Sequence, residues 1–137
     1  MLADEATMAY NHSWGGTVDF AREDWADWYA WWLVAHEDKR YYRYVTDQSG
    51  AYVGEIAYHY DRELEGFIAN VIIYAPYRGR GYGGQALDAL CLVAKANGID
   101  VLYDDVAIDN PALGMFLRHG FVETGRTTEK IILRKVL

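Results

Sequence analysis

A glycine-rich turn between a predicted strand and a predicted helix constrains this chain more than any other feature. The segment YRGRGYGG, residues 77–84, follows an apolar run at 71–74 and precedes residues 85–97, where apolar residues recur at helical spacing. Glycines leave the backbone N–H groups of such a turn open, and these groups point along the helix dipole. Arg78 and Arg80 add positive charge beside them. The turn therefore predicts a binding site for a phosphorylated cofactor.

Two common nucleotide-binding patterns fit this turn less well. Gly79, Gly81 and Gly84 satisfy G-x-G-x-x-G, the dinucleotide fingerprint. However, residues 75–78 separate the strand from the first glycine, and too few residues follow for the repeated units of a Rossmann fold. The Walker pattern fails because the turn lacks Gly-Lys-Ser/Thr. A Rossmann-type module that binds a nucleotide is therefore kept only as an alternative.

The turn resembles a different family more closely. Arg78-x-x-Gly81-x-Gly83 matches the R/Q-x-x-G-x-G/A signature of the GNAT N-acetyltransferase superfamily. A second stretch, DNPALGMFLRHGF at residues 109–121, is similar to the later GNAT motif N-x-x-A-x-x-x-Y-x-x-x-G-F. Two motifs in the right order identify residues 40–137 as resembling this family.

The second motif departs from the family pattern at two positions. Asp109 occupies the place of the motif asparagine, with Asn110 one residue late, and Phe116 occupies the place of the tyrosine. The resemblance implies acetyl-coenzyme A as the cofactor, with its pyrophosphate in the turn and its pantetheine arm on the preceding strand. The cofactor-binding residues that it implies are Ile72, Ile73, Arg78, Gly79, Arg80, Gly81, Tyr82, Gly83, Gly84, Asn110 and Phe116.

The resemblance also implies a reaction, in which a primary amine of a small molecule or peptide attacks the thioester directly within a ternary complex. An ammonium has no lone pair for this attack, so the site needs a base. Glu55 and Asp105 are our candidates, because a partly desolvated carboxylate has a raised pKa. Glu55 and His59 lie four apart on one predicted strand and face the same side, whereas Asp104 and Asp105 face opposite sides.

A proton donor for the departing thiolate is less obvious. Phe116 has no proton to give, so Tyr103 on the adjacent predicted strand is the candidate acid, and an unassisted thiolate is the alternative. The same phenylalanine motivates our second hypothesis for the whole chain: a coenzyme A-binding sensor or regulatory module without turnover.

The acidic composition bears on partners. Acidic residues outnumber basic ones 20 to 13, which argues against nucleic acid and favours a cationic amine acceptor. No apolar run approaches the roughly 20 residues of a membrane span, and the acidic start does not resemble a signal peptide. A single cysteine, Cys91, fits a cytoplasmic protein, and no histidine shows metal-ligand spacing. The sequence leaves a homodimer open.

The order of predicted elements indicates one domain, residues 1–137, of the α/β class. We expect a GNAT-like mixed, mostly antiparallel sheet flanked by helices on both faces. The N-terminal edge strand that the resemblance implies has no counterpart in the sequence. A stripe of aromatic residues predicts that helix 22–36 packs on the sheet, with Trp31 turned away from it toward the acceptor. The predicted helices are 22–36, 85–97 and 111–119, and the predicted strands are 41–46, 51–60, 66–74, 101–107, 121–127 and 130–136.

Overall fold

A computed structural model describes residues 1–137 and contains one six-stranded sheet with three α-helices. The strands run in the order β1-β2-β3-β4-β6-β5, and only the β3–β4 pair is parallel. This confirms the predicted mixed, mostly antiparallel sheet, with β1 at one edge. The elements are β1 (Arg40–Thr46), β2 (Tyr52–Asp61), β3 (Gly66–Ile73), β4 (Val101–Ala107), β5 (Val122–Arg126), β6 (Lys130–Val136), α1 (Trp25–Tyr29), α2 (Tyr82–Ala96) and α3 (Leu113–Arg118).

The main core lies between one face of the sheet and the helices α2 and α3. Leu87 and Leu90 of α2 are fully buried, and they belong to the same cluster as Leu102 of β4 and Leu133 of β6. Burial of such side chains is worth about 1.5–3 kcal/mol each, so this layer stabilises the strands that carry the glycine turn. None of the helices combines the length and the apolar composition that a bilayer crossing requires.

The opposite face of the sheet is covered only in part. The predicted helix 22–36 is a 3₁₀ turn, the five-residue α1 and a π-helical turn in succession. The prediction that its aromatic stripe packs on the sheet is confirmed only in part. Trp28 packs edge-on against Tyr42 of β1 at 4.6 Å between ring centroids, whereas Trp25 is 52% exposed. Trp31 is turned away from the sheet, but the guanidinium of Arg40 lies 3.6 Å from its ring centroid. Arg40 therefore covers the face of the indole that it contacts.

The parallel strands β3 and β4 separate soon after they meet. Their pairing is confined to Phe67 with Leu102 and Ile68 with Tyr103. Beyond Ile68 the remaining residues of β3 have no partner on β4, and β4 pairs only with β6 on its other side. A gap in the sheet therefore opens toward the end of β3, where the glycine turn begins.

The first 16 residues cross the open end of this gap. Thr7 Oγ1 accepts a hydrogen bond of 3.0 Å from the backbone N–H of Ala75, which follows β3. His12 Nε2 lies 3.1 Å from Asp109 Oδ1, beyond the end of β4, and this hydrogen bond lowers the pKa of the Asp109 carboxyl. The N-terminal segment thus joins the two sides of the gap.

One carboxyl in the core lacks a full set of partners. Asp104 lies on the α2 side of β4, between Leu102 and Val106, and its Oδ2 atom is buried without a hydrogen bond. Burial, and then the nearby charge of Asp105, raise the pKa of Asp104 well above the ordinary value. An unsatisfied buried polar group costs about 1–3 kcal/mol.

We therefore expect Asp104→Val to raise the free energy of unfolding by about 1–3 kcal/mol near neutral pH. A raised folded-state pKa means that the folded state holds its proton longer than the unfolded state, so stability falls as pH rises above about 3.8. The gain over wild type should shrink as the pH approaches that value. Urea denaturation at several pH values measures it, and a loss of stability in the variant at pH 7 would contradict the expectation.

Candidate active site

The glycine turn presents a row of free backbone N–H groups. The N–H groups of residues 79–84 donate to no acceptor in the protein, and the next one, that of Gln85, donates to the Gly81 carbonyl. α2 begins at Tyr82 with Gly81 as its N-cap, and no side chain caps this end. Six open donors at the start of a 15-residue helix form a concavity that suits a phosphate or pyrophosphate.

The glycines of the turn serve two different purposes. Gly79 and Gly81 have φ values of +73° and +86°, a conformation that side chains disfavour. A Cβ on Gly83 would lie 3.0 Å from Met115 Sδ, and one on Gly84 would lie 2.7 Å from His119 Nε2. Gly83 and Gly84 are therefore required by the close packing of α2 on α3 and its C-terminal end, a reason that the sequence alone did not reveal.

The two arginines of the turn have unequal freedom. The Arg78 guanidinium donates to the backbone carbonyls of Ile73 at 3.0 Å, Ala6 at 3.0 Å and Thr7 at 2.5 Å. Arg78 therefore ties the N-terminal segment to the end of β3, and its predicted phosphate contact stays a prediction. Arg80 is exposed, with its guanidinium 5.5 Å from the Tyr77 ring centroid, and is the freer positive charge at the turn.

The backbone of β3 shows which residues face the gap. The N–H of Tyr74 donates to the carbonyl of Val53, and alternate residues of an antiparallel pair share the same direction. The backbone groups of Ile72 therefore point to its partner Glu55 on β2. The predicted contact of the Ile72 backbone with the cofactor stays a prediction, and this direction does not support it. Val71 and Ile73 direct their backbone groups into the gap, although the Ile73 carbonyl already accepts from Arg78.

Glu55 is the buried carboxylate of the less covered sheet face. It lies on β2 opposite Ile72, is 5% exposed, and accepts a hydrogen bond from the Tyr42 hydroxyl. Burial raises the pKa of Glu55, and the hydrogen bond from Tyr42 opposes this shift. Cross-strand partners are about 5 Å apart, so the carboxylate lies within two strand spacings of the gap.

The other acidic candidate is already paired. Asp105 lies on the same sheet face as Glu55, and its Oδ2 atom is 2.6 Å from Lys130 Nζ. Asp104 faces the core on the other side, as its alternation with Asp105 requires. His59 shares the face of Glu55, and burial lowers the pKa of its imidazole. The described residues include no group of three or more His, Cys, Asp or Glu that could hold a metal ion.

Neither aromatic candidate lies free in the gap. The Tyr103 ring packs over Gly66, where a Cβ would be 2.8 Å from its Cε2 atom, so it lies at the closed end of the gap. The Phe116 ring is 4% exposed and packs edge-on against Phe121 at 5.4 Å. Asn110 uses its Oδ1 atom to accept from the N–H of Ala112. The role of Tyr103 as an acid and the contacts of Phe116 and Asn110 with the cofactor stay predictions. None of the contacts described here supports them.

Residues 3–121 match the sequence model of the Acetyltransferase (GNAT) family. This chain belongs to the GNAT family. A curated relative is the uncharacterized N-acetyltransferase YycN of Bacillus subtilis (strain 168), which is 41% identical over 63 residues. That stretch is 45% of this chain and 40% of the relative, so the chain spans less than half of the relative's length.

Solved structures of GNAT proteins share the fold. The GNAT domain of S. lividans PAT superposes with a TM-score of 0.80 at 14% identity, over 99% of this chain and 80% of that one. Ribosomal-protein-alanine N-acetyltransferase from Brucella melitensis gives 0.67 at 21%, over 85% and 76%. A spermidine N-acetyltransferase chimera from Vibrio cholerae and hSSAT gives 0.70 at 17%, over 85% and 76%. These identities are low, and the likeness is one of fold.

One polar residue of this GNAT protein escaped the sequence reasoning. Asn70 lies in the middle of β3, just beyond the point where the pairing with β4 ends, and its side chain is exposed. Its cross-strand partner Ala57 is 1% exposed. This face of the sheet is therefore open to solvent beside the gap. The pattern Ile68-x-Asn70-x-Ile72 was the available signal, since a polar residue interrupts an apolar face.

Proposed function

We propose that this protein is an acetyl-coenzyme A-dependent N-acetyltransferase that acts on a primary amine of a small molecule or peptide. The row of six free N–H groups at residues 79–84, at the edge of the gap between β3 and β4, is the observation that carries the proposal. The turn suits a pyrophosphate, and the gap beside it suits an extended arm that pairs with a strand.

Each part of the chain has a stated task in this proposal. The free N–H groups of the turn and the Arg80 guanidinium bind the pyrophosphate. Backbone groups of Val71 and Ile73 bind the pantetheine arm, and together these contacts orient the thioester beside β3. Acetyl-coenzyme A supplies the activated acetyl group. Glu55 takes the proton of the acceptor ammonium, because a carboxylate with a raised pKa is a better base near neutral pH.

The acidic composition and the known relatives support an amine acceptor. The net charge of −7 raises the local concentration of cations around the protein. The names of two structural neighbours refer to spermidine and to an alanine of a ribosomal protein, both of which present amines. We therefore propose a cationic amine, to be identified by a panel of small amines and peptides.

Acetyl-coenzyme A should raise the melting temperature of the protein by several degrees. A ligand at 100 times its dissociation constant stabilises the folded state by about 2.7 kcal/mol. NAD and ATP should have a much smaller effect, since neither carries an arm that fits the gap. Differential scanning fluorimetry with the three ligands measures this. Equal stabilisation by NAD would favour the Rossmann-type hypothesis and contradict ours.

Release of free thiol separates the enzyme from the sensor hypothesis. The sensor hypothesis rests on Phe116, which supplies no acid at the place of the family tyrosine. Because a thiol is moderately acidic in water, the thiolate of coenzyme A can leave without a proton donor. The lack of an acid at residue 116 therefore does not prevent turnover. Amine-dependent thiol release would establish the enzyme, whereas saturable acetyl-coenzyme A binding without release across the amine panel would favour the sensor.

A further inference from the structure

The side chain of Asn70 has no structural task. It makes no hydrogen bond within the protein, although it lies on a strand in the middle of the sheet. The residues on either side of it on the same face, Ile68 and Ile72, are half-buried and apolar. Asparagine is a residue type that strands disfavour, and this carboxamide gains no hydrogen bond from the fold in return. It is therefore available to a ligand in the cleft.

The position of Asn70 relates it to both the gap and the base. The pairing of β3 with β4 ends at Ile68, so Asn70 is the first residue on this face beyond the point of separation. Asn70 is opposite Ala57, and Glu55 is opposite Ile72, which makes Asn70 and Glu55 diagonal neighbours on one face. Diagonal neighbours lie about 7–8 Å apart, a distance that one amine and one water molecule can bridge.

We propose that Asn70 is an acceptor-binding residue, whose Oδ1 atom accepts a hydrogen bond from the attacking amine and directs its lone pair toward the gap. This inference rests on the proposed function and specifies it. The acceptor is a primary amine that reaches the cleft over the centre of β3, on the face opposite α2. The buried carboxylate of Glu55 receives the proton through a bridging water, because only 5% of this residue is exposed.

The step balances as an acyl transfer. The ammonium gives one proton, through the water, to the Glu55 carboxylate, and the neutral nitrogen forms a bond to the acetyl carbon. The bond between that carbon and sulfur then breaks, and sulfur keeps the electron pair. The second proton of the nitrogen passes to solvent as the amide forms, and the thiolate takes a proton from solvent. No oxidant or reductant is needed.

Three variants test the role of Asn70. Asn70→Ala should lower kcat/KM for the amine about 10- to 100-fold, the range expected from a hydrogen bond to a charged group, with the dissociation constant of acetyl-coenzyme A unchanged. Asn70→Asp keeps an acceptor oxygen and should retain turnover within about fivefold, each variant being measured at its own optimal pH. Gln48→Ala, which removes an exposed carboxamide from a distant turn, is the matched control. The probes are spermidine, 2-phenylethylamine and a peptide with an N-terminal alanine.

The outcomes distinguish the inference from the function on which it rests. Unchanged kcat/KM in Asn70→Ala, with an active wild type, would overturn the role of Asn70 alone. An Asn70→Asp variant as impaired as Asn70→Ala would overturn the role of Oδ1 as an acceptor, since the carboxamide N–H₂ would then be the required group. A wild type that binds acetyl-coenzyme A but acetylates no amine would overturn the proposed function, and this inference with it. The exposure of Asn70 makes loss of fold in these variants unexpected, and the melting temperature verifies this.

Discussion

Glu55→Gln should lower kcat about 10²- to 10⁴-fold, the contribution expected of a general base. The amide retains an oxygen that can accept the hydrogen bond from Tyr42, so the fold and acetyl-coenzyme A binding should survive. Because burial raises the pKa of Glu55, the wild-type rate should rise with pH through a pKa above 4.5, and this acidic limb should vanish in the variant. Steady-state kinetics across pH measure both effects.

Asp105→Asn is the matched control for that experiment. Asp105 lies on the same face of the sheet, but its carboxylate is bound to Lys130 rather than free to accept a proton from the substrate. We expect a much smaller loss of turnover than in Glu55→Gln. A Glu55→Gln variant within threefold of wild type would remove Glu55 from the mechanism, and a larger loss in Asp105→Asn would transfer the role to that residue.

Gly81→Val should weaken acetyl-coenzyme A binding at least about 100-fold. Gly81 has a φ of +86° and is the N-cap of α2, so a branched side chain there strains the backbone by about 1–2 kcal/mol and crowds the free N–H groups. Gly98→Val is the control, because Gly98 has a φ of +83° and open space around it at the other end of α2. Calorimetric titration and thermal melting should show similar losses of stability and unequal losses of affinity. Equal affinities in the two variants would place the pyrophosphate elsewhere.

Local sequence patterns predicted the strands of this fold well where apolar residues dominated the segment. β4 and β6 have the predicted bounds, since each is a short segment rich in apolar residues that follows polar turn residues. α2 begins three residues earlier than predicted, because Gly81 can adopt the N-cap conformation and Tyr82 continues directly into the helix. The segment after Arg22 is less regular than predicted, because it buries only part of its aromatic stripe on β1 and tertiary packing fixes only Trp28 and Trp32.

The features of the site that could not be predicted from the sequence depend on contacts between residues far apart in the chain. The bond between Asp105 and Lys130 joins residues 25 apart, and Arg78 reaches Ala6 across 72 residues, so neither contact leaves a local signal. The backbone direction of Ile72 depends on its register with β2, which a strand's own sequence does not contain. Asn70 looks like any exposed strand residue until both neighbouring strands are known.

The ties across the gap have a consequence for the order of folding. His12 reaches Asp109 across 97 residues, and Thr7 reaches Ala75 across 68, whereas the hairpin of β1 and β2 closes locally. Closing longer loops costs more entropy, so these ties should form after the hairpins. An intermediate with both halves of the sheet but an unanchored N-terminus would lack a defined gap. Pulse-labelling hydrogen exchange should then show late protection at Ala75, and cofactor binding would appear only with the last phase of refolding.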